Sequence, residues 1–129
     1  MDETGYCELR LTRTYPAAPD EVWATLTEPR SLARWLAPPG EIELASGGVF
    51  EVGPVRARVR EVEAERVLEL DWQHADEEPS VVRFELRPLD DGTQLILDHR
   101  RIREPVGMKY ISRWTTALAL FGRRVGETA

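Results

Sequence analysis

Lysine is almost missing from this chain. Lys109 stands alone among 17 basic residues, the others being arginine. Arginine keeps its charge and holds carboxylates in planar pairs, so a surface laced with ion pairs is expected. Cysteine is as scarce: Cys7 is the only one. That excludes a disulfide framework within the chain and makes a reducing, cytoplasmic setting the expectation. An excess of positive charge is lacking too, with 23 acidic residues against 17 basic ones and a formal net charge of -6. Nucleic acid and anionic membrane surfaces select for basic faces, so neither is an expected partner. No apolar run approaches the ~18 residues of a membrane span. The opening MDETGYCELR has neither the basic nor the apolar region of a signal peptide. No HExxH, CxxC, P-loop or GxSxG pattern occurs, so no cofactor is expected. Repeats, low-complexity tracts and linkers are also absent, and 129 residues read as one domain with its core over residues 8–126.

What is present is clear periodicity. Leu9 to Tyr15 alternates with period two and predicts a strand. Pro19-Asp20-Glu21 opens a helix, with proline and acids where the helix dipole favours them; Val22, Trp23 and Leu26 supply its buried stripe. A second short helix, Pro29 to Ala37, carries Leu32, Trp35 and Leu36 at helical spacing. That raises a question: what does a tryptophan on so short a segment face? From Glu41 the period returns to two. Strands are expected over 42–45, 49–52, 55–62, 67–74, 81–87 and 94–101, separated by Gly, Pro and Asp turn signals. Such short connections favour an antiparallel meander. Pairing Val62 with Val67 sets Arg60 opposite Glu69, Arg58 opposite Asp71 and Arg56 opposite Gln73, with Val59, Leu70, Ala57 and Trp72 on the other face. The last segment, about Val106 to Val125, reads as a helix. Its stripe is Ile111, Trp114, Leu118, Phe121 and Val125, widened by Tyr110 and Ala117, with Gly126 as a C-cap.

The segment RTYPAAPDEVWATLTEPRSLARWLAPPG resembles the opening of the heat-shock protein 90 ATPase activator homologue family, part of the START-like (SRPBCC, polyketide cyclase-like) superfamily. The resemblance continues through Gly47-Gly48, VLELDW, FEL.P, GTQL.L.H and the tryptophan of the last helix, covering residues 9 to 121. It implies an α+β helix-grip fold. A curved antiparallel sheet of about six to seven strands wraps a long C-terminal helix, and two short helices follow the first strand. It also implies a deep cavity between sheet and helix, with Trp35 at its rim. Trp35 packing only as core is the simpler reading, and the two are compatible.

Strand parity assigns the candidate cavity wall. Trp72 and His74 point inward on one strand and Phe84 on the next. Leu95, Leu97, His99 and Arg101 do so on the third. Phe50 joins from an earlier strand, Trp35 from the short helix, and Met108, Tyr110, Ile111, Trp114 and Leu118 from the long one. The two histidines sit two strand spacings apart, on the order of 10 Å, near enough to meet one ligand. A histidine at the inner end of a strand is more often satisfied by the protein than catalytic; His74, His99 and Tyr110 are the only candidates for acid–base work. Arg101 could pair with an acidic head group or with Glu104. His74, Asp76 and Glu78 alternate on an acidic loop, a pattern too weak for a metal site, and nothing activates Cys7.

These features favour a non-catalytic carrier or sensor that binds a small hydrophobic or amphipathic molecule, lipid or polyketide-like, as monomer or homodimer. A cyclase- or hydrolase-like enzyme using the cavity histidines is one alternative. A protein-interaction module of co-chaperone type is another.

Overall fold

A computed structural model describes residues 5–128; the first four residues of the opening segment lie outside them. Strand β1 (Tyr6–Tyr15) is followed by α1 (Pro19–Thr27) and α2 (Pro29–Trp35). Strands β2 (Pro39–Ile42), β3 (Val49–Val52), β4 (Val55–Glu63), β5 (Val67–His74), β6 (Ser80–Leu89) and β7 (Gly92–Arg103) come next. Helix α3 (Glu104–Thr128) ends the fold. The strands form one seven-stranded antiparallel sheet in the order β1-β7-β6-β5-β4-β3-β2. This is the expected helix-grip architecture. No helix among the described residues is long and apolar enough to cross a membrane.

Several boundaries move. β2 starts at Pro39 rather than Ile42, because residues 43–48 fold into a loop whose Gly47 N–H donates to the Val59 carbonyl at 2.8 Å. α3 runs through Gly126 instead of stopping there. Trp23 is half-buried, and the buried residues of α1 are Val22, Thr25, Leu26 and Thr27. At the β6–β7 turn, a Cβ on Gly92 would lie 2.3 Å from the Tyr15 carbonyl oxygen, so only glycine lets β1 approach there.

The β4–β5 register holds for half its length. Arg58 faces Asp71, Arg56 faces Gln73, Val59 faces Leu70 and Ala57 faces Trp72, as the pattern predicts. Toward the turn it slips by one: Glu61 faces Glu69 and Val62 faces Leu68. Arg60 is the extra residue, bulged out of the ladder. Like charges directly opposite are unfavourable, and Arg83 spans this pair, reaching Glu61 at 3.1 Å and Glu69 at 3.6 Å. Arg60 and Arg100 also reach the largely buried Glu69. The outer face of the sheet thus carries the ion-pair lattice that an arginine-rich, lysine-poor chain predicts.

The inner face packs on α3. Gly107, Tyr110, Trp114, Ala117, Leu118, Phe121 and Val125 are its buried residues. Ile111 is 42% exposed and Met108 76% exposed, against expectation. At about 100° per residue, Met108 lies roughly 120° from the centre of that stripe and Ile111 at its edge. Neither reaches the sheet.

Candidate functional site

Three elements meet around one concavity of about 420 Å³. The end of α2 gives Trp35, Leu36 and Ala37; the strands give Val52, Val55, Trp72 and His74; α3 gives Tyr110, Trp114 and Ala117. Pro54 of the β3–β4 turn, with Ser112, Arg113, Thr116 and Leu120 of α3, completes the lining. The volume and apolar wall fit a small-molecule pocket, typically ~300–1,000 Å³.

Trp35 answers the question that its short helix raises. It is 2% exposed, and its Nε1–H donates to the Thr25 carbonyl at 2.8 Å, so the indole's one polar atom is satisfied by α1. Its ring stands edge-on to Phe121 (4.9 Å) and Phe84 (6.4 Å) and still contributes wall to the pocket. Trp35 is core and lining at once. Trp114 is held by Trp72 at 5.4 Å and Phe84 at 5.9 Å.

Of the fourteen residues assigned to the cavity from sequence, five line it: Trp35, Trp72, His74, Tyr110 and Trp114. Phe50, Phe84, Leu95, Leu97 and Leu118 are buried in the packed core behind the wall. Met108 and Ile111 lie on the exposed side of α3. Arg101 turns outward. Leu9 pairs with His99 but Cys7 pairs with Ile102, so β7 carries one extra residue, and Arg101 takes a left-handed backbone (φ 62°). The bulge shifts parity, so Ile102 is buried while Arg101 stacks over the Tyr6 ring at 5.0 Å. It lies outside the pocket lining and forms no ion pair with Glu104.

The histidines part company. His99 is fully buried behind the pocket. Trp114 Nε1–H can only donate, and it reaches His99 Nδ1 at 3.0 Å. Nδ1 therefore holds a lone pair, and Nε2 carries the proton, donating to Ser80 Oγ at 2.7 Å. With both nitrogens taken, burial lowers the His99 pKa to about 3. In this geometry His99 is neutral and both its ring nitrogens are occupied. Tyr110 fills the space between the two histidines, its ring 4.3 Å from His99 and 6.5 Å from His74. The two cannot share a ligand as the strand spacing suggested.

His74 remains at the pocket edge, beside a polar cluster that sequence reading missed. Tyr110 OH donates to Glu77 Oε1 at 2.5 Å and accepts from Trp72 Nε1–H at 3.2 Å. Burial, then the bond to Glu77, pushes the Tyr110 phenol well above its usual range, so it stays a donor. Arg113 donates to Glu77 Oε2 at 3.3 Å and lies over the Tyr110 ring. Glu77 looked like one acid in a solvated loop. The signal that could have found it is the turn: Ala75 adopts φ 48° and the Glu77 N–H closes onto the His74 carbonyl at 2.9 Å, folding residue 77 back toward α3. Asp76 and Glu78 do not join His74; Glu78 instead pairs with Arg103 at 3.1 Å and accepts from Tyr6 OH at 3.2 Å. Cys7 sits against Gly107, and burial and Glu104 raise its pKa, the reverse of activation.

Comparison with known proteins places this geometry. The family described as Activator of Hsp90 ATPase homolog 1-like protein matches residues 16–125. CalU16 from Micromonospora echinospora superposes with a TM-score of 0.85 at 28% identity, over 93% of this chain and 76% of that one. Protein MLL2253 from Mesorhizobium loti gives 0.85 at 22% identity, over 95% and 99% of the two chains. DynU16, a protein of the dynemicin biosynthetic locus, gives 0.83 at 20% identity, over 92% of this chain and 47% of that one. Comparison with curated proteins yields no match.

Proposed function

The chain belongs to the activator of Hsp90 ATPase homolog 1-like family, and from that premise we propose that it binds a small, largely apolar molecule between α3 and the sheet, as a carrier or sensor without turnover. The observation that carries this reading is the pocket of about 420 Å³ walled mainly by three indoles and aliphatic side chains, with His74, Tyr110, Ser112, Arg113 and Thr116 as its polar members. Fold alone decides no function in this superfamily; the wall chemistry does the arguing. The catalytic alternative loses His99, whose two nitrogens are committed to Ser80 and Trp114. It also loses Tyr110, whose hydroxyl is held by Glu77 and Trp72. The co-chaperone alternative rests on the family name and on no surface described above.

A neutral bicyclic arene, 2-methoxynaphthalene, tests the binding reading. At a ten-fold excess over Kd it should stabilise the protein against urea by about 1.4 kcal/mol. Ala117 lines the pocket and is nearly buried. Ala117→Phe places a ring in the void and should remove that stabilisation while the variant remains folded. An arene that stabilises Ala117→Phe as much as the parent protein binds elsewhere, and the reading fails.

A further inference from the structure

Besides the Ser112 and Thr116 side chains of α3, the pocket has a polar corner at His74, built in two layers. His74 ends β5 opposite Val55, and both line the pocket. Among the described residues, His74 Nδ1 is the one buried side-chain polar atom without a hydrogen-bond partner. It faces Glu77 Oε2 at 3.6 Å. Glu77 is not part of the pocket wall; it lies behind the histidine, with Ser80, Ile102 and Val106. There Tyr110 and Arg113 hold its two oxygens. A carboxylate fixed on the Nδ1 side favours the tautomer with its proton on Nδ1. The Nε2 lone pair is then left as an acceptor, with no protein donor bonded to it.

We propose that His74, positioned by Glu77, accepts a hydrogen bond from the ligand, and that the ligand class is a flat aromatic bearing a phenolic or enolic hydroxyl. This rests on the binding reading above and adds the chemistry of the ligand's polar end. The body of such a molecule suits the apolar wall to which Trp35, Trp72 and Trp114 contribute. Its head must be a neutral donor. A carboxylate head would meet the Glu77 charge, since Arg113, the cation at the rim, is already engaged by Glu77 and the Tyr110 ring. An ammonium head would meet Arg113. A hydroxyl meets neither penalty and satisfies the histidine.

Three probes of one ring system separate the possibilities: 2-naphthol, 2-methoxynaphthalene and 2-naphthoate, titrated by quenching of tryptophan fluorescence. The parent protein should bind 2-naphthol about ten-fold more tightly than the methyl ether, the size of one net hydrogen bond, and 2-naphthoate more weakly than 2-naphthol. His74→Phe should reduce the naphthol preference over the ether to under about two-fold. Glu77→Gln should do the same, because its amide can donate to Nδ1 and turn Nε2 into a donor. Long-range ¹H–¹⁵N spectra of the unliganded parent protein should show His74 in the Nδ1–H form, a readout independent of any variant's folding. Equal binding of naphthol and ether overturns the anchor and leaves the pocket reading standing. Tightest binding of 2-naphthoate overturns it in favour of Arg113. Binding of none of the three overturns both readings, and an Nε2–H tautomer overturns the anchor alone.

Discussion

Trp114→Ala should lower the free energy of unfolding by about 4 kcal/mol, read as a shift of the urea midpoint. Trp114 is 2% exposed, and its ring is in contact with Trp72 and Phe84. Truncating a buried tryptophan costs ~3–5 kcal/mol in transfer and cavity terms. The same change strips His99 Nδ1 of its donor, and an orphaned buried acceptor adds ~1–3 kcal/mol. The pocket beside Trp114 works the other way, because water entering the enlarged void can reach Nδ1 and recover part of that second cost. Trp114→Phe separates the two terms. It keeps most of the ring contact and loses the N–H, so about 1–3 kcal/mol should remain. For a domain whose whole stability is typically ~5–15 kcal/mol, the alanine variant stands near the edge of folding. A cost under about 2 kcal/mol would mean that Trp114 is only loosely packed and that the pocket extends through its site.

The sequence carried the architecture because two periods, 2.0 and about 3.6, are written into it almost without interruption. Val49–Val52 and Val67–His74 appear at the boundaries that alternation predicts. Failures cluster where the chain leaves its own period. Parity is a local rule, and one inserted residue reverses it for everything downstream. The extra residue in β7 turned Arg101 outward and Ile102 inward, and nothing in Asp98-His99-Arg100-Arg101 announces a left-handed residue. At Arg60 the bulge was equally silent. Arg60 still comes within 3.6 Å of its expected partner Glu69, but its shorter contact is with Asp71 at 3.0 Å, while Arg58 donates to the Gly47 carbonyl.

The site was less legible than the fold. Residues at inward parity were found, but inward parity does not separate wall from filling. Phe84, Leu95 and Leu97 face inside like Trp72, yet α3 and the tryptophans cover them. Which of them borders empty space depends on sheet curvature and on how far α2 stands from α3, and neither is a local property. The lining residues missed include Val52 and Val55 on strands and Arg113, Ala117 and Leu120 on α3, and others lie on turns. Pro54 read only as turn chemistry and Glu77 only as loop charge, whereas both fold back onto the pocket corner. Their connection is one backbone bond, from the Ala75 N–H to the Pro54 carbonyl at 2.9 Å.

Acid should unfold this protein through His99 earlier than its carboxylates alone would. In the folded state burial holds the His99 pKa down to about 3, while an unfolded chain titrates near ~6.5. Between these values the unfolded state binds the proton and the folded state does not, so stability falls as pH falls. The stabilisation from keeping His99 neutral is fully present above pH ~6.5 and is lost progressively toward pH ~3. Its slope approaches about 1.4 kcal/mol per pH unit, with a ceiling of about 5 kcal/mol over the window. Carboxylates of the outer ion-pair lattice also lose stability on acidification, so the parent protein alone cannot isolate the histidine. His99→Asn can. The amide oxygen of asparagine is able to take the Trp114 hydrogen bond, and the side chain does not titrate. The variant should start less stable at pH 7, having lost ring packing and the bond to Ser80. Its disadvantage should then shrink as the pH drops through 6 and 5, because only the parent protein still has a buried base to protonate. Parallel stability curves from pH 7 to 4 would mean that His99 takes up its proton as readily in the folded state as in the unfolded chain. Once protonated, His99 Nδ1 could not accept from the Trp114 indole, and the neutral lock on which the exclusion of His99 from catalysis rests would be wrong.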